Sequence, residues 1–403
     1  MKHLLRTLSL CLFLSIPAVG SADQEMLEQE DIFTANTDGY RVFRIPGIVC
    51  TPKGTLLAYC EARRGSRSDW GDIDIVIRRS TDGGKTWTPM KKIASAPKGQ
   101  KKNQAALEQG LGKPDEITLN NPMAIVDRDT GHVHLLYCIE YGWCYYMKSE
   151  DEGKTWSSPV EITETFEDFR KQGFPWIVLA TGPGHGIQLD NGRLIIPVWL
   201  SNGKGGHAHR PSVNSVIYSD DQGKTWKAGR IAAGEYTPRN PSETMAIQLA
   251  DGRVMLNFRH ESRPLGRAVI TSPNGISDWS AVRFDSALPE PVCMASILRL
   301  SRKPEASRNR IIFSNPNNPI DRKRRNVTIK LSYDEGQSWP ISRTLEPGTS
   351  AYSDLTLGPD GTIYCFYERN RDPKTGDTPG NLTVARFNLE WLTQGIDTLK
   401  AKK

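Results

Sequence analysis

The densest run of chemically capable side chains is Arg63-Arg64-Gly65-Ser66-Arg67-Ser68-Asp69-Trp70-Gly71-Asp72, which follows Glu61 and precedes Asp74. Carboxylates can act as general acids or bases, and guanidinium forks hold carboxylates with two parallel hydrogen bonds. Asp74 alternates with Ile73 and Ile75, the pattern of a strand residue, so Asp69 and Asp72 are the loop carboxylates of this run. A short basic run follows at Arg322–Arg325. Metal chemistry has no visible basis. The seven histidines show no ligand spacing, and neither do Cys50, Cys60, Cys138, Cys144, Cys293 and Cys365. These cysteines sit in apolar runs such as Leu56–Cys60 and Tyr364–Tyr367, and read as buried small hydrophobes rather than a disulfide framework. The formal net charge of +6 suits acidic ligands but comes with no nucleic-acid-binding signature. No cofactor is expected.

What positions such residues is legible from a repeat. The pattern Ser-x-Asp-x-Gly-x-x-Trp occurs at Ser80/Asp82/Gly84/Trp87, Ser149/Asp151/Gly153/Trp156, Ser219/Asp221/Gly223/Trp226 and Ser332/Asp334/Gly336/Trp339. Each copy reads as a hairpin turn. Ser and Asp side chains bond backbone N–H groups, glycine accepts a positive φ, and the tryptophan packs under the hairpin. Strands are expected before the boxes at Ile73–Arg79, Cys144–Lys148, Ser215–Tyr218 and Val327–Leu331. Asp82 and Asp151 are 69 residues apart, Asp151 and Asp221 70, and Asp221 and Asp334 113. The long interval holds a degenerate copy, Ser272/Asn274/Trp279. About 380 residues at about 65 per unit predict an all-β chain of six blades around an axis. A short helix is expected within Asn388–Lys400, and Pro97–Asn120 reads as a polar excursion between blades.

The N-terminus reads as a targeting segment. Lys2, His3 and Arg6 are followed by an apolar run from Leu8 to Val19 and small residues at Gly20, Ser21 and Ala22. Residues 1–22 are therefore expected to be a cleaved signal peptide, and 23–403 a single domain that is periplasmic or secreted, without a membrane span and monomeric.

Phe43-Arg44-Ile45-Pro46 resembles the Phe/Tyr-Arg-Ile-Pro signature of the exo-α-sialidases of bacteria and animals, where it precedes a series of such boxes. The resemblance extends from about Tyr40 to Glu368. It implies a six-bladed β-propeller that hydrolyses terminal α-linked sialic acids from glycoproteins, glycolipids and oligosaccharides. It further implies that Arg44, Arg259 (in Leu256-Asn257-Phe258-Arg259) and an arginine before the last box strand bind the substrate carboxylate. Arg324 is the choice for the third, with Arg325 and Arg322 close by. Glu368 would brace Arg44, Arg63 would reach toward the carboxylate, and Asn121 would line the site.

An anionic nucleophile would be repelled by the carboxylate on the anomeric carbon, and sialidases use tyrosine instead. The resemblance assigns that role to Tyr352 in Ala351-Tyr352-Ser353-Asp354-Leu355, with Glu243 in Pro241-Ser242-Glu243-Thr244 as its base. It places the acid/base aspartate in the Arg63–Asp72 loop. Asp69 is the choice there, ahead of Asp72 and Asp74. His185, in Gly182-Pro183-Gly184-His185-Gly186, could be structural or at the rim, and Trp143 and Trp176 could line an N-acyl pocket or pack the core. Three other readings are compatible with parts of this pattern: a hydrolase of deaminated sialic acid or Kdo glycosides, a trans-sialidase, and a non-catalytic sialic-acid-binding propeller.

Overall fold

The computed structural model describes residues 24–399 apart from 235, 264 and 371–379, so the expected signal peptide lies outside the described residues. The described residues are almost wholly strand and turn. Their α-helices are Gln104–Glu108, Glu167–Lys171 and Leu389–Thr393, the last capped by Asn388 Oδ1 on the amide of Trp391. No described helix is long and apolar enough to cross a membrane.

The strands form five antiparallel sheets, with one short parallel pair between Gly184–His185 and Leu119–Val126. The largest sheet has seven strands and turns within Ile341–Leu357. The first half of that strand pairs with Arg325–Ser332 and the second half with Ile363–Arg369. Divided there, the described residues form six meanders built around four strands each. The last meander is completed by the first described strand, Leu27–Phe33, which pairs with the last, Asn381–Phe387. The leading strands neighbour one another in sequence order. Val42–Cys50 packs on Leu119–Val126, Ile187–Gln188 and Leu194–Ser201 on Thr244–Gln248, and Thr244–Gln248 on Ser296–Ser301. Ser296–Ser301 packs on Ile341–Leu357, which in turn packs on Val42–Cys50.

The boxes are the joints between meanders. Ser80 Oγ bonds Asp82 Oδ1 at 2.8 Å and accepts the Gly84 amide at 2.9 Å, while Asp82 accepts the Thr86 amide at 3.0 Å. The same bonds recur at Ser149/Asp151, Ser219/Asp221 and Ser332/Asp334, and the Ser272/Asn274 copy reproduces their core. The tryptophans reach further than their own hairpins. Trp279 Nε1 donates to Arg230 O, Trp339 Nε1 to Asp285, and the Trp226 ring lies 5.7 Å from that of Tyr146. Each partner belongs to the preceding meander, so a turn motif that is locally self-contained also carries the packing between units.

Candidate active site

Three leading strands are irregular at equivalent places. Register shifts fall between Arg44 and Gly47, between Asn120 and Met123, and between Ser350 and Ser353. Ile45 and Asn121 adopt φ of 60° and 52° there, a region that is costly for a β-branched residue such as Ile45. Pro46 and Pro122 follow them, and proline cannot donate to a ladder. Such irregularities re-aim side chains. Here they occur at Arg44, Asn121 and Tyr352.

Tyr352 is the hub. Its phenol donates to Glu243 Oε1, and its oxygen accepts from Arg259 Nη1 at 2.9 Å. Arg259 Nη1 also donates to Glu243 Oε2 at 2.8 Å. The two residues are backbone neighbours as well, because the Arg259 amide donates to Glu243 O and the Ser242 amide to Arg259 O. The guanidinium carbons of Arg44 and Arg324 lie 5.2 and 5.1 Å from the centre of the Tyr352 ring. Three cations therefore converge on one buried phenol. Burial and the Glu243 charge push its pKa well above the ordinary phenol value, with Arg259, Arg324 and Arg44 opposing. The phenol rests protonated against a carboxylate that can take its proton.

Of the neighbouring basic residues, Arg324 is the one set against Tyr352, and its Nη2 donates to Val292 O at 2.6 Å. Arg325 instead pairs with Asp321 at the surface, and Arg322 bonds Ser262 O. Glu368 is buried. Its Oε1 accepts Arg44 Nε and the Ile45 amide, both at 3.1 Å, and its Oε2 accepts Arg44 Nη2 at 3.3 Å and the Tyr352 amide at 3.4 Å. One carboxylate thus fixes both the first arginine and the backbone of the tyrosine.

Arg63 is fully buried beside the group expected to bind the carboxylate. Its Nε and Nη2 are held by Glu61 Oε2 at 3.1 and 2.6 Å, and its Nη1 donates to Asp69 Oδ1 at 2.8 Å and to Arg67 O at 2.5 Å. Glu61 is braced in turn by the Asn121 amide at 2.9 Å, and Asn121 Nδ2 is spent on Thr181 O. Asn121 thereby braces this line of charges through its backbone amide. Asp69 keeps 44% of its side chain exposed and also lies 3.6 Å from Arg44. Desolvation works to raise its pKa, but Arg63 and then Arg44 outweigh it and hold the carboxyl well below the usual range. Asp72 and Asp74 face away from this group, paired with Arg64 and, for Asp74, also with Lys92 and Tyr40.

Other candidates fall elsewhere. His185 Nδ1 bonds Asp354 Oδ1 at 2.7 Å, and Asp354 also accepts from Ile48 N and Ser296 Oγ, so this histidine ties leading strands together. Trp176 is a core residue, with its indole N–H on Phe166 O. Trp143 packs at the edge of the cluster containing Tyr137 and Tyr145. Trp70, next to Asp69 in the chain, is buried in a cluster with Tyr141, Val178, Ala180 and Trp199. His209, which sequence reasoning missed, stacks on Trp70 at 5.3 Å and meets Tyr141 at 4.9 Å. Burial pushes its pKa down to about 4 against the pull of Asp69. Its signal was weak, since His209 sits in a Gly/His-rich loop with no strand pattern.

A family model described as "BNR repeat-like domain" matches residues 54–365. The sialidase of Micromonospora viridifaciens is 32% identical over 395 residues, covering 92% of this chain and 55% of that protein. The sialidase of Bacteroides fragilis is 32% identical over 366 residues, covering 83% of this chain and 61% of that protein. The chain thus spans roughly three-fifths of the length of these two relatives. Among solved structures, the Hadza microbial sialidase Hz136 superposes with a TM-score of 0.74 at 28% identity, over 90% of this chain and 69% of that one.

Proposed function

The chain belongs to the BNR-repeat sialidase family, and on that premise we propose that it is an exo-α-sialidase that removes terminal sialic acids from glycoconjugates with retention of configuration. The observation that carries the reading is the Tyr352–Glu243 hydrogen bond at the meeting point of Arg44, Arg259 and Arg324.

The reaction follows from what these groups can do. The three guanidiniums bind the carboxylate on the anomeric carbon and set that carbon over the Tyr352 oxygen. Their positive field lowers the cost of phenolate, and Glu243 accepts the phenolic proton as the oxygen attacks. Asp69, ionised in the free site, takes up a proton as the bound carboxylate competes for Arg44, and the bond to the leaving sugar breaks as its oxygen receives that proton. In the second half, Asp69 deprotonates a water that attacks the same carbon. The tyrosyl bond breaks, and the proton held by Glu243 returns to the phenol. A neutral phenol approaches the substrate without the charge repulsion that a carboxylate nucleophile would meet.

The fold belongs to the same proposal. The packing of leading strands in order, returning from Ile341–Leu357 to Val42–Cys50, supports six blades closed around an axis, with 23–403 as one domain. Residues 1–22 are read as a cleaved signal peptide that sends the protein to the periplasm or outside the cell.

The test is product analysis on sialyllactose with and without an added galactoside. Free sialic acid released as the α-anomer, in equal yield with and without the galactoside, is the expected result. Transfer to the galactoside would favour a trans-sialidase. Binding without turnover would favour a lectin, and turnover only of deaminated sialic acid or Kdo glycosides would reassign the substrate.

A further inference from the structure

The loop that carries Asp69 leaves the sheet at Arg63 and rejoins it at Ile73, and of its carbonyls Asp72 O accepts the Arg64 amide at 3.0 Å across the neck while others turn to partners outside the sheet. Two of them are bonded by side chains of a distant segment, the excursion between Lys92 and Leu119. Lys102 Nζ donates to Trp70 O at 2.5 Å, and Thr118 Oγ1 donates to Gly71 O at 2.6 Å. The remaining donors of the Lys102 ammonium go to Thr118 Oγ1 and Glu140 Oε1, both at 3.1 Å. Lys102 and Glu140 are both buried, an expensive arrangement unless every polar atom is matched. It is matched here. Glu140 Oε1 also accepts the Thr118 amide at 2.6 Å, and Oε2 accepts the Asn103 amide at 3.2 Å. The contact is close as well as bonded, since a side chain at Gly112 would collide with Trp70 O at 2.1 Å. The same excursion reaches the His209 loop through Gln109 Oε1, which accepts the Ala208 amide at 2.6 Å.

We propose that Lys102 is a positioning residue for Asp69: it clamps the backbone immediately after that residue, so that the carboxyl is held where a leaving-group oxygen would need its proton. The inference rests on the reading of Asp69 as the acid given above. Arg63 holds the carboxylate end of the residue, and Lys102 with Thr118 holds its main chain. A donor fixed at both ends keeps its aim through the reaction, and a small displacement of a catalytic group is costly in rate.

The test uses the full chain with Lys102→Met and, because that change strands Glu140 and could prevent folding, also Thr118→Val, which removes only a hydroxyl. Asp69→Asn is measured in parallel. Each variant is assayed on a sialyl galactoside, whose departure needs a proton, and on an aryl sialoside, whose departure hardly does. Deuterium uptake is followed over residues 64–73. We expect faster uptake there in both clamp variants. We also expect kcat to fall about ten-fold or more on the galactoside for Lys102→Met, against about three-fold at most on the aryl substrate. Unchanged uptake over 64–73 would overturn the clamp. Faster uptake with equal losses on the two substrates, while Asp69→Asn discriminates between them, would reduce Lys102 to a structural residue. Equal losses in Asp69→Asn itself would overturn the role given to Asp69, and the uptake data would still decide whether Lys102 holds the loop.

Discussion

Arg44 and Asp69 are ion-paired, with Nη1 and Oδ1 3.6 Å apart, while the rest of the Arg44 guanidinium is locked on Glu368. The group proposed as proton donor is therefore held ionised in part by a group proposed to bind the substrate carboxylate. A bound carboxylate would draw on the same arginine and add a negative charge beside Asp69, and both effects raise its pKa. The sign follows directly: if the pKa is higher in the complex than in the free protein, binding takes up protons and tightens as pH falls. Calorimetry of sialic acid binding in two buffers of different ionisation heat, between about pH 7 and 5, should register that uptake. It should vanish in Asp69→Asn. Identical heats in the two buffers for the unaltered protein would remove the linkage.

The shared hydrogen bonds of Tyr352, Glu243 and Arg259 make these residues a unit, so their losses should not add. Tyr352→Phe deletes one oxygen from a buried ring and should fold and bind normally while turnover collapses. Glu243→Gln should cost about 10²- to 10⁴-fold in kcat, the usual range for a lost general base. The double variant should be little worse than the poorer single one. A fluorinated sialosyl donor followed by peptide mapping reads the nucleophile directly, and a label on any residue but Tyr352 would sink the assignment.

Arg324 and Arg325 are adjacent in sequence and opposite in environment. Arg324→Ala and Arg259→Ala each remove a cation from the group around the buried Tyr352 and should cost about 2–5 kcal/mol in kcat/KM. Arg325→Ala breaks an exposed pair with Asp321 and should cost about 0–1 kcal/mol. Similar losses at 324 and 325 would show that the side-chain directions are misassigned.

That pair also illustrates where sequence reasoning stops. Alternation along a strand tells inward from outward only while the register is regular, and here it shifts between Arg325 and Val327, with Asn326 at φ 62°. The boxes were legible because their bonds are local: Ser, Asp and Gly satisfy one another within a few residues, and even the Ser272/Asn274 copy kept enough of them to be seen. The strands before them run Ile73–Ser80, Trp143–Ser149, Ser212–Ser219 and Arg325–Ser332, within a few residues of expectation. Lys102 and His209 acquire their places through partners that no local pattern announces. Pro46 and Pro122 were the overlooked signal, since a proline inside a leading strand already argues for a bulge.

If the boxes join neighbouring meanders, their glycines should be sensitive for two separable reasons. Gly223 has φ 81°, and an added Cβ would lie 2.5 Å from the Tyr146 hydroxyl and 2.8 Å from His134 Nδ1, groups of the preceding meander bonded to each other at 2.8 Å. Gly192 has φ 86° and nothing within 4 Å of such a Cβ. Alanine at 192 should cost only the left-handed backbone, about 1–2 kcal/mol. Alanine at 223 should cost that and a further ~1–3 kcal/mol for forcing apart a packed contact. Urea unfolding of the two variants compares the sites, and the kcat/KM of the folded protein should stay unchanged in both, because neither glycine lies in the arginine cluster. Equal destabilisation would mean that the Gly223 turn does not bear on its neighbour, and the boxes would then be hairpin locks and nothing more.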